Sequence, residues 1–235
     1  MSDIRVPAVV LPVYDEAATV GCVIEAVREV FSGPVLVIDD GSDDGTAEVL
    51  STIEHIEVHT HPENLGYGRS LLDGFAWAHA RGCDAVLTMD CDGQHEPEHI
   101  PEFFKALADC DIVSGSRYLS ASEILGQAPP ERRDLNRRIT EAINRETSLG
   151  ITDAFCGFKA YRTAVLQRMQ LSEPGYGFPL QLWAEAHRLG ARVIELPVPR
   201  IYFTGDRSFG QDLDVPEVRL GYYLRVWNAA TNREG

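Results

Sequence analysis

Two carboxylates separated by one residue, Asp90 and Asp92, close the apolar run Ala85-Val86-Leu87-Thr88-Met89. Such a run reads as a strand buried on both faces, and charge at the end of a core strand is costly unless it is paired or bound to a metal. Asp90 and Asp92 are therefore candidate ligands for a hard dication, which would in turn recruit phosphate oxygens. Gln94 adds a neutral oxygen, and Gly93 lets the backbone turn without steric cost. Asp and Gly are equally the residues of a solvated turn, and this segment alone is compatible with both readings. Cys91, between the aspartates, has no second cysteine at ligand spacing, which argues against zinc there.

The elements that position this segment alternate. Strands are expected over 6–11, 35–38, 56–60 and 112–117, then out of a turn within 153–162, and finally over 193–198, where Pro197 and Pro199 mark an edge. Helices are expected after a Thr19 cap, through Ala47 to Ile53, along Leu71, Leu72, Phe75 and Ala78, and over 97–107, 131–149, 163–169, 179–189 and 215–229. Residues 119–130 lack periodicity and read as a mobile loop. Strand-helix alternation requires an open, mostly parallel α/β sheet, whose carboxyl edge is where ligands bind. Four loops fall at that edge: 12–16, 39–46, 90–94 and 114–117. The glycines of Asn64-Leu65-Gly66-Tyr67-Gly68-Arg69 lack the third glycine of a dinucleotide fingerprint and do not follow the first strand, so that fingerprint is rejected.

Bulk properties set limits. A length of 235 residues suits a single domain, and the net charge of −15 disfavours nucleic acid and anionic surfaces as nonspecific partners. No run of about 18 apolar residues occurs, and Met-Ser-Asp-Ile-Arg is no leader, so a cytoplasmic, non-spanning protein is expected. The five cysteines are scattered and odd in number, as free thiols in a reducing compartment are.

Six motifs in order resemble glycosyltransferase family two: Leu-Pro-Val-Tyr-Asp-Glu, Val-Ile-Asp-Asp-Gly-Ser-Asp-Asp-Gly-Thr, Asn-Leu-Gly-Tyr-Gly, Met-Asp-Cys-Asp-Gly-Gln-His, Gly-Ser-Arg-Tyr and Cys-Gly-Phe-Lys-Ala-Tyr-Arg. The sequence looks most like the dolichyl- or polyprenyl-phosphate mannosyltransferase branch, in which Asp-x-Asp is followed by x-Gln-His. The resemblance implies a GT-A fold in one domain over 1–235, with a nucleotide-binding half of about 1–117 and an acceptor half of about 118–235. It implies a nucleotide-diphosphate sugar donor of the GDP-mannose or UDP-glucose type. Pro12, Tyr14, Glu16, Ile38, Asp39 and Cys91 would surround the donor, and Asp90, Asp92 and Gln94 would hold Mg²⁺ or Mn²⁺ on its diphosphate. A departing nucleotide diphosphate gathers negative charge, which a dication and arginines stabilise; Arg117, Arg200 and Arg207 are the candidates. Arg132 and Arg133 align with a basic pair near the acceptor phosphate. Asp153 would take a proton were the acceptor a hydroxyl.

The expected activity is inverting transfer of a hexose, mannose or glucose, onto a polyprenyl phosphate, with a soluble sugar or glycan as the alternative acceptor. A nucleotidyltransferase is disfavoured because no glycine-rich phosphate loop with lysine follows the first strand, and a non-catalytic sugar-nucleotide module because the metal cluster is intact. The branch carries apolar interfacial helices where this chain has Glu131-Arg132-Arg133-Asp134, so membrane contact would be peripheral and rest on the arginines of 131–138 and the stripe Leu135, Ile139 and Ile143. Gly205-Asp206-Arg207-Ser208-Phe209-Gly210 also departs from the branch's Gly-x-Ser-Lys-x-Gly.

Overall fold

Apolar residues at alternating and helical spacing produce the expected alternation in β1 (Pro7–Val13), α1 (Val20–Val30), β2 (Val35–Asp39), α2 (Thr46–Ser51), β3 (Glu57–Thr60), α3 (Tyr67–Ala80) and β4 (Ala85–Thr88). There follow a 3₁₀ turn (Pro97–His99), α4 (Ile100–Ala106), β5 (Ile112–Ser116), β6 (Ile124–Leu125), α5 (Pro130–Glu146) and β7 (Lys159–Arg162). The chain ends in α6 (Thr163–Leu166), α7 (Phe178–Arg188), β8 (Val193–Pro197), β9 (Arg200–Ile201) and α8 (Pro216–Thr231). The structure is a computed structural model that describes residues 4–125, 130–201 and 211–232.

Seven strands form one sheet in the order β3-β2-β1-β4-β7-β5-β8. All neighbours are parallel except β7, which runs antiparallel to both β4 and β5. The carboxyl ends of β1, β2, β4 and β5 therefore share one edge, and the chain enters β7 at that same edge. Register makes this concrete: Val13 lies opposite Asp39, and Lys159 lies opposite both Thr88 and Ser114. Because β7 comes from the latter part of the chain yet sits between strands of the first part, the two sequence halves share a sheet.

Strand side chains alternate between two apolar layers. Val10, Leu36 and Ile38 face one side with Leu71, Phe75, Phe178 and Trp183. Val9, Leu11 and Val37 face the other with Ile24, Val27, Ile100 and Phe103. Burial on both faces explains the unbroken apolar runs in β1 and β2.

Local expectations change in four places. Thr19 occupies the N-cap of α1 without capping it; its hydroxyl donates to Glu16 Oε2 at 2.7 Å. Within 119–130, expected to lack structure, Ile124 and Leu125 pair in parallel with Arg200 and Ile201, a two-residue bridge too short to carry a period. The β8 strand is an edge, as its prolines predict, but β9 follows it. Most consequential, the α5 stripe does not face outward: Leu135, Ile139 and Ile143 are 8%, 2% and 1% exposed and pack into the core that also holds Tyr223 and Trp227 of α8. Three apolar positions on an otherwise polar 17-residue helix suffice for one buried seam and leave none for a bilayer.

Candidate active site

The first wall of the carboxyl edge is a laced pair of loops after β1 and β2. Asp15 adopts a left-handed conformation, φ 54°, and its backbone N–H donates to Ser42 Oγ at 2.9 Å, while Asp43 N–H donates back to Asp15 Oδ1 at 3.1 Å. Glu16 N–H donates to Thr46 Oγ1 at 2.9 Å and Ala17 N–H to Asp44 Oδ2 at 3.0 Å. Four cross-loop bonds hold the two segments as one surface. Pro12 is buried within it, Tyr14 is 45% exposed on it, and Glu16 is half-buried. The Ile38 side chain is wholly in the core, so only its backbone faces the edge.

Asp39 ends β2 with no exposed surface. Its Oδ1 accepts Ser42 N–H at 3.0 Å, while its buried Oδ2 has no partner among the described residues. An unsatisfied buried acceptor costs on the order of 1–3 kcal/mol, and more for a charged group, so this oxygen is suited to a ligand's N–H or O–H.

The second wall is the segment after β4. Asp92 Oδ1 accepts Gln94 N–H at 2.8 Å, closing a turn that holds both side chains on one short loop. Asp90 N–H donates to His95 Nδ1 at 3.2 Å, which leaves the ring proton on Nε2, 4.0 Å from Asp90 Oδ2. Tyr67, at the start of α3, lies close enough to Asp90 to feel its charge; burial and that charge push its pKa well up. Cys91 is buried among apolar side chains of the second layer, so its thiol does not face the edge.

Gly157, entering β7, explains how Asp90 fits. A Cβ built there would lie 2.7 Å from both Cγ and Oδ1 of Asp90, so only glycine allows this approach. Two carboxylates and a carboxamide on one turn are the hard oxygen set of Mg²⁺ or Mn²⁺, and the space kept by Gly157 is consistent with such an ion.

The third wall joins β5, α5 and the irregular segment that leads into β7. Arg117 donates Nε to Asp153 Oδ2 at 2.7 Å and Nη2 to Oδ1 at 3.0 Å, a two-pronged pair. Asn136 Nδ2 reaches Asp153 Oδ1 at 2.8 Å. Burial alone would raise the Asp153 pKa, but the Arg117 charge and these donors outweigh it and hold the group at about 2. Lys159 is buried beside this pair, its Nζ donating to Cys156 O and lying 5.4 Å from the Trp183 ring centre, with burial pushing its pKa down. The guanidinium of Arg117 lies 6.0 Å, and that of Arg200 5.6 Å, from the Tyr118 ring centre. Arg132 is half-buried and Arg133 exposed; Arg133, Tyr118, Asn136, Thr140 and Asn144 line a cavity of about 480 Å³. Arg207 and the loop 205–210 lie outside the described residues.

The structure thus brings Asp39, Asp90, Asp92, Arg117 and Asp153 to one edge. Tyr67, His95, Gly157 and Lys159 stand among them without having been singled out from the sequence, although each sits inside one of the six motifs.

Carboxylates gathered at the carboxyl edge of an open, mostly parallel sheet, with an unsatisfied buried acceptor at the end of β2, mark that edge as the ligand-binding side of an α/β protein. The family described as "Glycosyl transferase family 2" matches residues 8–169, more than half of the chain, and the protein belongs to it; it is a glycosyltransferase. Among curated relatives, an "Undecaprenyl-phosphate mannosyltransferase" of Micrococcus luteus is 31% identical over 80% of this chain and 81% of its own. A "Polyprenol monophosphomannose synthase" of Mycolicibacterium smegmatis is also 31% identical, over 81% of this chain and 75% of its own. Among solved structures, glucosyl-3-phosphoglycerate synthase from Mycobacterium tuberculosis in complex with UDP superposes with a TM-score of 0.75, covering 98% of this chain and 82% of that one at 20% identity. That likeness shows the fold, which is GT-A.

Proposed function

We propose that this enzyme transfers a hexose, mannose in the first instance, from a nucleotide-diphosphate sugar to a polyprenyl phosphate with inversion at the anomeric carbon. The observation that carries the reading is the two 31% relatives, both named for mannosyl transfer to polyprenyl phosphate and both covered over three quarters or more of their length. Pro12, Tyr14, Glu16 and the backbone at Ile38 form the nucleoside wall, with the unsatisfied Asp39 Oδ2 accepting from base or ribose. Asp90, Asp92 and Gln94 hold Mg²⁺ or Mn²⁺, and the backbone at Cys91 adjoins the diphosphate. A bound ion there would supply positive charge against the departing diphosphate.

An acceptor phosphate oxygen attacks the anomeric carbon, that bond forms as the bond to the diphosphate oxygen breaks, and no proton need be taken, because the nucleophile arrives as an anion. Asp153 then has a different duty from that of a base. Its carboxylate is enclosed, held at about 2 and spent on Arg117, so it fixes the guanidinium at the edge. Arg117, Arg200 and Arg207 supply the remaining positive charge, and Arg132 with Arg133 meets the acceptor phosphate at the face of α5. No described helix is long and apolar enough to cross a membrane, and the lipid phosphate is reached peripherally.

A second reading, transfer to a soluble sugar or glycan, is favoured by the buried α5 stripe, which leaves that helix no apolar face for a bilayer. Incubating the enzyme with GDP-mannose or UDP-glucose, Mg²⁺ or Mn²⁺, and polyprenyl phosphate in vesicles tests the first reading. Mannosyl-lipid that disappears with a chelator is the expected product. Donor turnover only when a soluble glycan is added would favour the second.

A further inference from the structure

We infer that His59, His61 and Asp73 form a second metal site, for Zn²⁺ or a similar borderline divalent ion, at the β3 edge of the sheet. One ligand atom from each residue lies within 4.8 Å of the others, and the two imidazoles meet edge-on at 5.3 Å. His59 and His61 are two apart at the end of β3, and Asp73 comes from α3, so an ion there would clasp strand to helix.

The hydrogen bonding around His61 distinguishes this group from a chance cluster. Its ring is buried, and its Nδ1 lies 2.6 Å from Asp40 Oδ1. Asp40 also accepts Leu65 N–H at 2.9 Å and Gly66 N–H at 2.8 Å, and as an acceptor of those bonds it requires Nδ1 to carry the proton. Carboxylate to His N–H, with the opposite nitrogen turned towards a ligand set, is the arrangement that orients metal-binding histidines. His61 Nε2 then faces Asp73 Oδ2 at 3.0 Å, a lone pair against an anionic oxygen. A proton or a metal ion has to stand between them. Two ligands bound tetrahedrally to Zn²⁺ at about 2.0 Å are about 3.3 Å apart, so little movement admits the ion.

Arg69 Nε shares the same Asp73 oxygen at 2.7 Å, but its side chain is half exposed and free to swing out. His59 is exposed, which gives an ion a path in and leaves room for water as the fourth ligand. The site is separate from the carboxylates after β4, because three strand spacings, about 14 Å, divide β3 from β4. Its link to the active site is Asp40, the neighbour of Asp39: an ion on His61 would tighten the loop 64–66 against the end of β2.

The test uses the full chain in excess Mg²⁺, which occupies hard oxygen sites. Zn²⁺ is added in calorimetry and in thermal melts, and Co²⁺ as a visible-absorbing probe of nitrogen ligation. The expected result is one equivalent bound, a melting temperature higher by several degrees, and at least tenfold weaker binding in both His59→Ala and Asp73→Asn, with Asp92→Asn unaffected. His59 is exposed, so its variant is expected to fold normally. Absence of a Zn²⁺-dependent rise in the parent, or retention of full affinity in His59→Ala, would overturn the site and leave only a hydrogen bond between His61 and Asp73. Loss of binding in Asp92→Asn instead would place the ion at the other carboxylates.

Discussion

At the residue scale, the chemistry here depends on which atoms are left without partners and which are kept at distance. Asp39→Ala removes the orphaned Oδ2 and a charge-assisted bond worth about 1.5–3 kcal/mol. Nucleotide affinity measured by calorimetry should therefore fall roughly tenfold to a hundredfold, with the metal requirement of turnover unchanged. Unaltered affinity would reduce Asp39 to the turn it makes with Ser42. Gly157→Ala probes the other feature. The added methyl would collide with the Asp90 carboxylate, and because β7 is held by β4 and β5 on both sides it cannot retreat. Turnover should drop at least a hundredfold while far-UV circular dichroism stays native; an active variant would show that Asp90 need not stand where it does. Asp90 and Asp92 stood out in the sequence because carboxylates ending an apolar strand are anomalous on their own, and Asp39 entered through the resemblance to the family. Gly157, Tyr67 and His95 did neither, since each matters only through its distance to Asp90, and Gly157 is 67 residues from it along the chain.

At the scale of elements, Asp153 joins three pieces of the fold: β5 through Arg117, α5 through Asn136, and its own approach to β7. Arg117 is only 17% exposed, so Asp153→Asn strands a mostly buried cation and should cost about 3 kcal/mol in urea unfolding at neutral pH. The pH dependence has a definite sign. The folded pKa, about 2, lies below the ordinary 3.8, so the stabilisation is fully present above pH 4 and is lost as pH falls towards 2. That shift amounts to about 2 kcal/mol. The parent should lose this much across that window and the Asn variant should not; parallel acid limbs would mean the carboxylate is not held by Arg117 in solution. Alternation made most elements readable, and the antiparallel insertion of β7 was the part that was not. A strand of four residues reads the same in either direction, and only pairing with β4 and β5 decides it. The same limit hid β6, whose two residues carry no period.

At the scale of the whole molecule, the question is how a chain of net charge −15 meets an anionic lipid phosphate. The sequence offered four arginines and an apolar stripe on α5, and the fold removes most of that offer. The stripe is core, and Arg137 is paired with Asp134 at 2.6 Å and Glu141 at 3.0 Å, with Arg138 3.9 Å from Asp134. These pairs are exposed and contribute little to stability, yet they cancel locally the charge a membrane would sense. Of the four, the resemblance to the family directs the acceptor phosphate to Arg132 and Arg133. At about 1 kcal/mol for each cation near an anionic surface, the pair accounts for about 2 kcal/mol, or about thirtyfold in lipid engagement. Reversing both, Arg132→Glu with Arg133→Glu, should therefore reduce transfer to polyprenyl phosphate in anionic vesicles by at least thirtyfold. Metal-dependent hydrolysis of the donor should persist, because neither residue belongs to the loops that carry Asp39, Asp90 and Asp92. Raising salt should weaken the parent's lipid transfer in the same direction, since exposed charges are screened beyond about 10 Å at 0.1 M ionic strength. If the double variant glycosylates the lipid as fast as the parent, the acceptor phosphate is not met at this end of α5. If donor hydrolysis is lost with it, the substitutions have disturbed the fold around Asp153, and Arg133→Gln alone, at the exposed position, isolates the acceptor effect.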